Sequence, residues 1–225
     1  MSNFTLNWIN NRRTNKKIII IGAGSLGRMA ASILVDNEDY DMNNIAFLDD
    51  NITPGQKVLD FIVLGKPEDL KFVDTDACTL DFVIGIANNK IRKTVAELYK
   101  NLNFVNVIHK NASISKYAKL GLGNIILPHV SVDPDAIIEN HVVINKNSTI
   151  GHNVTLCDYS QACPGTNLGG HIGKGVFLGL GCIVLPDIRI GHNSVIGAGA
   201  VVNKDIPANC VAVGIPCKPV RSLIE

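Results

Sequence analysis

These 225 residues show no excess of either charge, no long apolar run and no paired cysteines, and each absence excludes a class of function. Lys and Arg number 21 against 20 Asp and Glu, for a formal net charge of +1. No electrostatic attraction to nucleic acid or to an anionic membrane follows from that balance. A membrane-spanning helix needs about 20 mainly apolar residues, and no run approaches that length. The start, MSNFTLNWINNRRTNKK, lacks the uninterrupted apolar core of a secretory signal, so the expected compartment is the cytoplasm. Cys78, Cys157, Cys163, Cys182, Cys210 and Cys217 form no CxxC pair, which argues against a zinc knuckle or a redox motif. They are expected to be reduced thiols filling small gaps in the core.

What is present divides into two halves with different periods. From Lys16 to about Ile108 the chain reads as alternating strands and helices. Apolar runs at Lys17–Ile21, Ile45–Leu48, Phe61–Leu64 and Phe82–Ala87 predict strands, and helical spacing appears in 25–35 and 90–102. A three- or four-stranded βαβ unit follows. Between the first strand and its helix, Gly22-Ala23-Gly24-Ser25-Leu26-Gly27 satisfies G-x-G-x-x-G in the strand–turn–helix context where backbone amides bind a phosphate. Asp49 and Asp50 follow the second strand, where a carboxylate accepts from ribose or sugar hydroxyls. A dinucleotide needs two such halves, so one half suits a single nucleotide. A glycine turn that only packs helix on strand would read the same way.

From Ile114 the period is six. Ile114, Leu120, Ile126, Val132, Ile138, Ile144, Ile150, Leu156, Ala162 and Leu168 lie on one grid, which slips by two residues and resumes at Ile172, Leu178, Val184, Ile190, Ile196 and Val202. Helices cannot hold six residues on one face, whereas a parallel β-helix with three short strands per coil does. The predicted organisation is an N-terminal extension (1–16), a half-Rossmann α/β domain (17–108), an all-β parallel β-helix (109–208) and a tail (209–225). The tetrapeptide IGHN occurs twice, at Ile150–Asn153 and Ile190–Asn193. Allowing for the slip, its two histidines are seven repeats apart, one more than two full coils, so they should face different sides of the prism.

The grid, the glycine turn, the stretch Ala87–Arg92 (ANNKIR) and the tail Val211–Val220 (VAVGIPCKPV) together resemble the bacterial acyltransferases that N-acetylate nucleotide-activated amino sugars, with the sialic acid O-acetyltransferases as a close branch. The likeness runs from about Lys17 to Val220. It implies a left-handed β-helix, a homotrimer, acetyl-CoA in the groove between neighbouring helices, and a nucleotide-sugar site in the N-terminal domain. It also implies direct N-acetylation of a 4-amino-4,6-dideoxy hexose, with no metal, nucleic acid or membrane partner.

Carried over by motif, Gly24, Ser25, Leu26, Asp49, Asp50 and Ala87 would contact the nucleotide sugar. His152 would be the general base, with Asn153 beside it, while His192 would be ordinary corner decoration. The amide of Gly169 or Gly170 would face the oxyanion. Gln161, Leu180, Ala198 and Lys218 would contact the cofactor. Three departures stand out. Asn153 replaces an acidic residue, for which Asp158 could substitute; Gln161 replaces a second histidine; and the grid slips at Gly169-Gly170. Competing readings are a sugar O-acetyltransferase, a non-catalytic nucleotide-sugar-binding β-helix, and a metal enzyme using His129, His141, His152, His171 and His192 across subunits.

Overall fold

A computed structural model describes residues 8–9, 16–72 and 80–224. Most of the predicted N-terminal extension, and Cys78, lie outside the described residues. The N-terminal domain is built on a sheet of β1 (Lys17–Ile21), β2 (Ile45–Leu48), β3 (Lys57–Val58), β4 (Phe61–Gly65) and β5 (Leu80–Ile84), in the order β3-β4-β2-β1-β5. Pairing is parallel except for the β3–β4 hairpin at the edge. Helix α1 (Ser25–Asn37) crosses from β1 to β2, and α2 (Asn89–Leu98) follows β5. The four isoleucines of β1 are fully buried, as a central strand covered on both faces requires. The hairpin adds a fifth strand that the sequence reading did not anticipate, because Lys57–Val58 is too short to show alternation.

The second domain is a left-handed parallel β-helix of two-residue strands. Its first face begins at Val107–Ile108, its second at Ser113–Ile114 and its third at Lys119–Leu120. On each face the coils stack in register: Ser131 pairs with both Ser113 and Thr149, a step of eighteen residues. Every grid residue is the second residue of its strand and points inward. Together they form one core, with Ile138, Ile144, Leu156, Ala162, Ile172 and Leu178 fully buried. Cys182, Cys210 and Cys217 fill gaps in that core and are free thiols.

The slip has a local cause. Between the second and third faces most corners take four residues, as at 151–154 and 185–188, but the corner after Leu168 has only Gly169 and Gly170. The ladder is kept, since Leu156 still pairs with Ile172 and Asn167 with Ile183.

The two domains share a core. Val107, Ile125, Leu127 and Val143 of the β-helix cluster with Ile18, Ala30 and Leu34 of the α/β domain. The Asn37 side chain at the end of α1 adds polar contacts, donating to Ile108 O (2.7 Å) and accepting from Lys110 N (2.8 Å). Among the described residues, no helix is long and apolar enough to cross a membrane.

Candidate active site

The glycine turn sorts its three glycines by physical need. Gly22 adopts φ +98°, a left-handed conformation costly for any other residue. A Cβ on Gly27 would lie 1.9 Å from Gly22 O, and one on Gly85 would lie 2.4 Å from Gly27 Cα, so these two interlock helix and strand. Gly24 differs, because a Cβ there would meet no protein atom. Packing does not demand glycine at Gly24, which caps α1 with exposed backbone. Ser25 is exposed beside it, whereas the Leu26 side chain is buried in the core, which leaves only its backbone for a ligand. Asp49 braces the turn, its carboxylate accepting from Ala23 N (2.8 Å) and Asn51 N (2.9 Å), while Asp50 is exposed at the same strand end.

Ala87 is exposed at the end of β5 and opens a cleft of about 730 Å³ between α2 and the first face of the β-helix. Its walls carry Asn89, Lys93 and Glu97 on one side and Tyr159, Gln161, Phe177 and Val195 on the other. Gln161 is only 8% exposed and its Oε1 accepts no hydrogen bond among the described residues. A buried amide oxygen without a partner is costly, and a donor entering the cleft would relieve that cost.

Asp158 lies on the rim of the cleft, at the corner between the third and first faces. Burial alone would raise its carboxyl, but the Lys174 ammonium at 2.8 Å and two donations from Asn140 outweigh it and hold the group below its ordinary range. Within one chain, Asp158 is therefore committed to Lys174 and Asn140, on a different edge from His152.

His152 is exposed at the corner between the second and third faces, and its Nδ1 lies 3.0 Å from Asn153 Nδ2. For Nε2 to keep a free lone pair, Nδ1 must carry the proton and donate to the amide oxygen, which is the same contact with the amide turned over. Asn153 sits at φ +62°, a conformation asparagine tolerates better than most residues. The two-residue corner stacks directly above. Gly170 is buried there, a Cβ on it would lie 2.1 Å from Ile188 O, and its N–H has no backbone acceptor among the described residues. His192 stands on another edge, between the third and first faces, with its Nε2 3.3 Å from Asn209 in a short ladder of asparagines. The two IGHN histidines thus face different sides, as their spacing predicted.

Leu180 and Ala198 occupy equivalent positions on successive coils at the corner between the first and second faces, where Gly199 N donates to Leu180 O. Leu180 is 57% exposed. Lys218 is exposed on the antiparallel strand Lys218–Ser222 that ends the first face. Within one chain, then, His152 and the pair Leu180 and Ala198 lie on different edges, both of which flank the second face, while Gln161 and Lys218 lie on the first face. Among the described residues no three His, Cys, Asp or Glu side chains converge as metal ligands. Sequence reading missed Asn89, Tyr159, Phe177 and Val195 as cleft residues, since only the docking of α2 on the β-helix brings them together.

Comparisons with known proteins fit this division. Residues 17–99 match the PglD N-terminal domain and residues 169–204 match the bacterial transferase hexapeptide (six repeats). The acetyltransferase domain of PglB from Neisseria gonorrhoeae FA1090, solved in complex with acetyl coenzyme A, superposes with a TM-score of 0.85 at 28% identity, over 92% of this chain and 100% of that one. A histidine mutant of perosamine N-acetyltransferase from Caulobacter crescentus, solved with CoA and GDP-perosamine, gives a TM-score of 0.84 at 26% identity, over 91% and 96%. GDP-perosamine N-acetyltransferase of Escherichia coli O157:H7 is 29% identical over 200 residues, 87% of this chain and 81% of that protein. Other curated acetyltransferases match more locally, and for two that are 46% identical the aligned part spans 44% and 45% of their length. The chain thus carries a PglD-type N-terminal domain followed by hexapeptide repeats, and in that order it is similar over most of its length to acetyltransferases that act on nucleotide-linked sugars.

Proposed function

We propose that the protein transfers the acetyl group of acetyl-CoA to the free amine of a nucleotide-linked 4-amino-4,6-dideoxy hexose. The observation that carries this reading is the cleft. Ala87, at the strand ends of the nucleotide-sugar domain, and Gln161, the predicted contact for the thioester end, line the same cavity. Support also comes from relatives matched across both domains: one is an acetyltransferase domain solved with acetyl coenzyme A, and two are named as perosamine N-acetyltransferases, one of them solved with CoA and GDP-perosamine.

In this reading the amine attacks the thioester carbonyl, forming the C–N bond, while His152 takes the ammonium proton as general base. The C–S bond then breaks and CoA leaves as the thiol. The Gly170 N–H, with no other acceptor among the described residues, faces the charge that develops on the carbonyl oxygen, where one such donor is worth about 2.7–4 kcal/mol. No acyl-enzyme is required. Among the described residues Cys157, whose Sγ is 3.7 Å from His171 Nε2, is the nearest approach to a Cys–His pair, but burial, aided by Glu139 and Asp158, pushes its thiol up to about 11. That is the reverse of an activated thiolate.

Because the edge of His152 and the edge of Leu180 and Ala198 flank one face, three copies presenting that face to a common axis would set His152 of one against Leu180 and Ala198 of the next, beside the first face that carries Gln161. The outward residues there, among them Ser113, Ser131 and Thr149, are small enough for close approach. A homotrimer completes the site in this way.

The experiment is thiol release from acetyl-CoA against UDP-, dTDP- and GDP-linked 4-amino sugars and CMP-sialic acid, with wild type, His152→Ala and His192→Ala. One amino sugar should turn over, with a loss of about 10²–10⁴-fold in His152→Ala only. Turnover of CMP-sialic acid alone would move the reading to O-acetylation, and full activity in His152→Ala would remove His152 as the base.

A further inference from the structure

The ANNKIR stretch ends in a buried cation that the transfer as written does not use. Arg92 is 1% exposed and its guanidinium meets no carboxylate among the described residues. Nε donates to His141 O (2.9 Å), and Nη1 donates to Ile86 O and Ala87 O (both 3.0 Å). Nη2 donates to Asn89 Oδ1 (2.9 Å) and Tyr159 O (2.8 Å), with Ser160 O at 3.4 Å. Acceptors on the α/β domain and acceptors on the β-helix are thus held by one planar group. Burial lowers its pKa to about 10, still far above neutrality, so it stays charged.

An unpaired buried charge is an expensive way to fill space, and an apolar side chain would pack the same helix face. The acceptors indicate what the charge does instead. The Ala87 carbonyl belongs to one wall of the cleft, and the Tyr159 and Ser160 carbonyls immediately precede Gln161 on the other. Asn89 extends the tie, donating from Nδ2 to Gly175 O (3.1 Å) and Val176 O (3.2 Å). We propose that Arg92 is a positioning residue for the transfer, holding the Ala87 loop and the Gln161 strand in one frame so that amine and thioester meet in a single geometry. This rests on the acetyl-transfer reading above. Lysine cannot replace it, because a point ammonium lacks the fork that reaches both walls at once.

The test uses Arg92→Lys and Arg92→Gln in the full chain. Without any substrate, amide hydrogen exchange at 86–89 and 159–161 should quicken by about tenfold or more in both variants, while β1 exchanges as in wild type. CoA, and whichever of UDP, dTDP, GDP or CMP binds wild type, should bind each variant within about threefold, whereas kcat falls by about 10²-fold, the cost of misplacing reactants. Wild-type kcat in Arg92→Lys overturns the proposal. So does a loss of kcat matched by equal losses in both binding constants and in melting temperature, which is what a merely structural role gives. If wild type acetylates no sugar, the acetyl-transfer reading fails instead, and unchanged exchange in the variants would separately refute the tie.

Discussion

Gly24 and Gly27, three residues apart, do opposite things. Gly27→Ala forces a Cβ to 1.9 Å from Gly22 O, so the N-terminal domain should lose stability by several kcal/mol, read as a large drop in melting temperature. Gly24→Ala meets no protein atom and should melt within a few degrees of wild type, yet its nucleotide-sugar affinity, measured by calorimetry, should fall by tenfold or more. Equal affinity in Gly24→Ala would make the turn a packing device only. At His152 the orienting partner is an amide without charge. Asn153→Asp places a carboxylate against the imidazole, which favours the imidazolium, so the acid limb of the pH profile of kcat/KM should move to higher pH. At this scale the sequence spelled out the G-x-G-x-x-G pattern but not which glycine packing requires, because the need at Gly27 depends on Gly85, which is far along the chain.

The element with most bearing on the site is the two-residue corner. Inserting two residues between Gly169 and Gly170 restores the six-residue period and the four-residue corner found below it at 151–154. The β-helix should melt as wild type, while transfer falls by at least about 10²-fold because the amide above His152 is displaced. Undiminished transfer would remove Gly170 from the mechanism.

A second element, the seat of α2, predicts a pH dependence. His141 is buried against Phe104 (centroids 4.7 Å) and stacked on Tyr159 (5.7 Å), and burial together with the Arg92 charge lowers its pKa to about 4. The unfolded chain binds this proton from about 6.5 downward and the folded chain does not, so stability is full above that value and falls as pH drops toward 4. Melting temperatures measured across that window should fall less in His141→Phe than in wild type.

The grid made the β-helix legible because one apolar residue in six has to point inward on every face. The seat of α2 was not legible, since Arg92 bonds mainly to carbonyls, which carry no side-chain signature.

Over the whole molecule, the division into α/β domain and β-helix followed from the change of period, but their mutual docking did not, because it depends on outward residues such as Val107, Ile125 and Val143 that lie off the grid. That docking forms the cleft. If base and cofactor edges belong to different copies, the protein should sediment as a trimer, with none of its transfer activity in isolated monomers. The most direct measurement is complementation. His152→Ala removes only the base, and Gln161→Ala combined with Leu180→Arg removes only the cofactor contacts. Unfolded together, mixed in equal amounts and refolded, the two inactive proteins should regain about a quarter of wild-type acetyl transfer, since random neighbours restore one intact pair in four. No recovery in mixed trimers, with wild type active after the same treatment, would contradict a site shared between copies with His152 as its base.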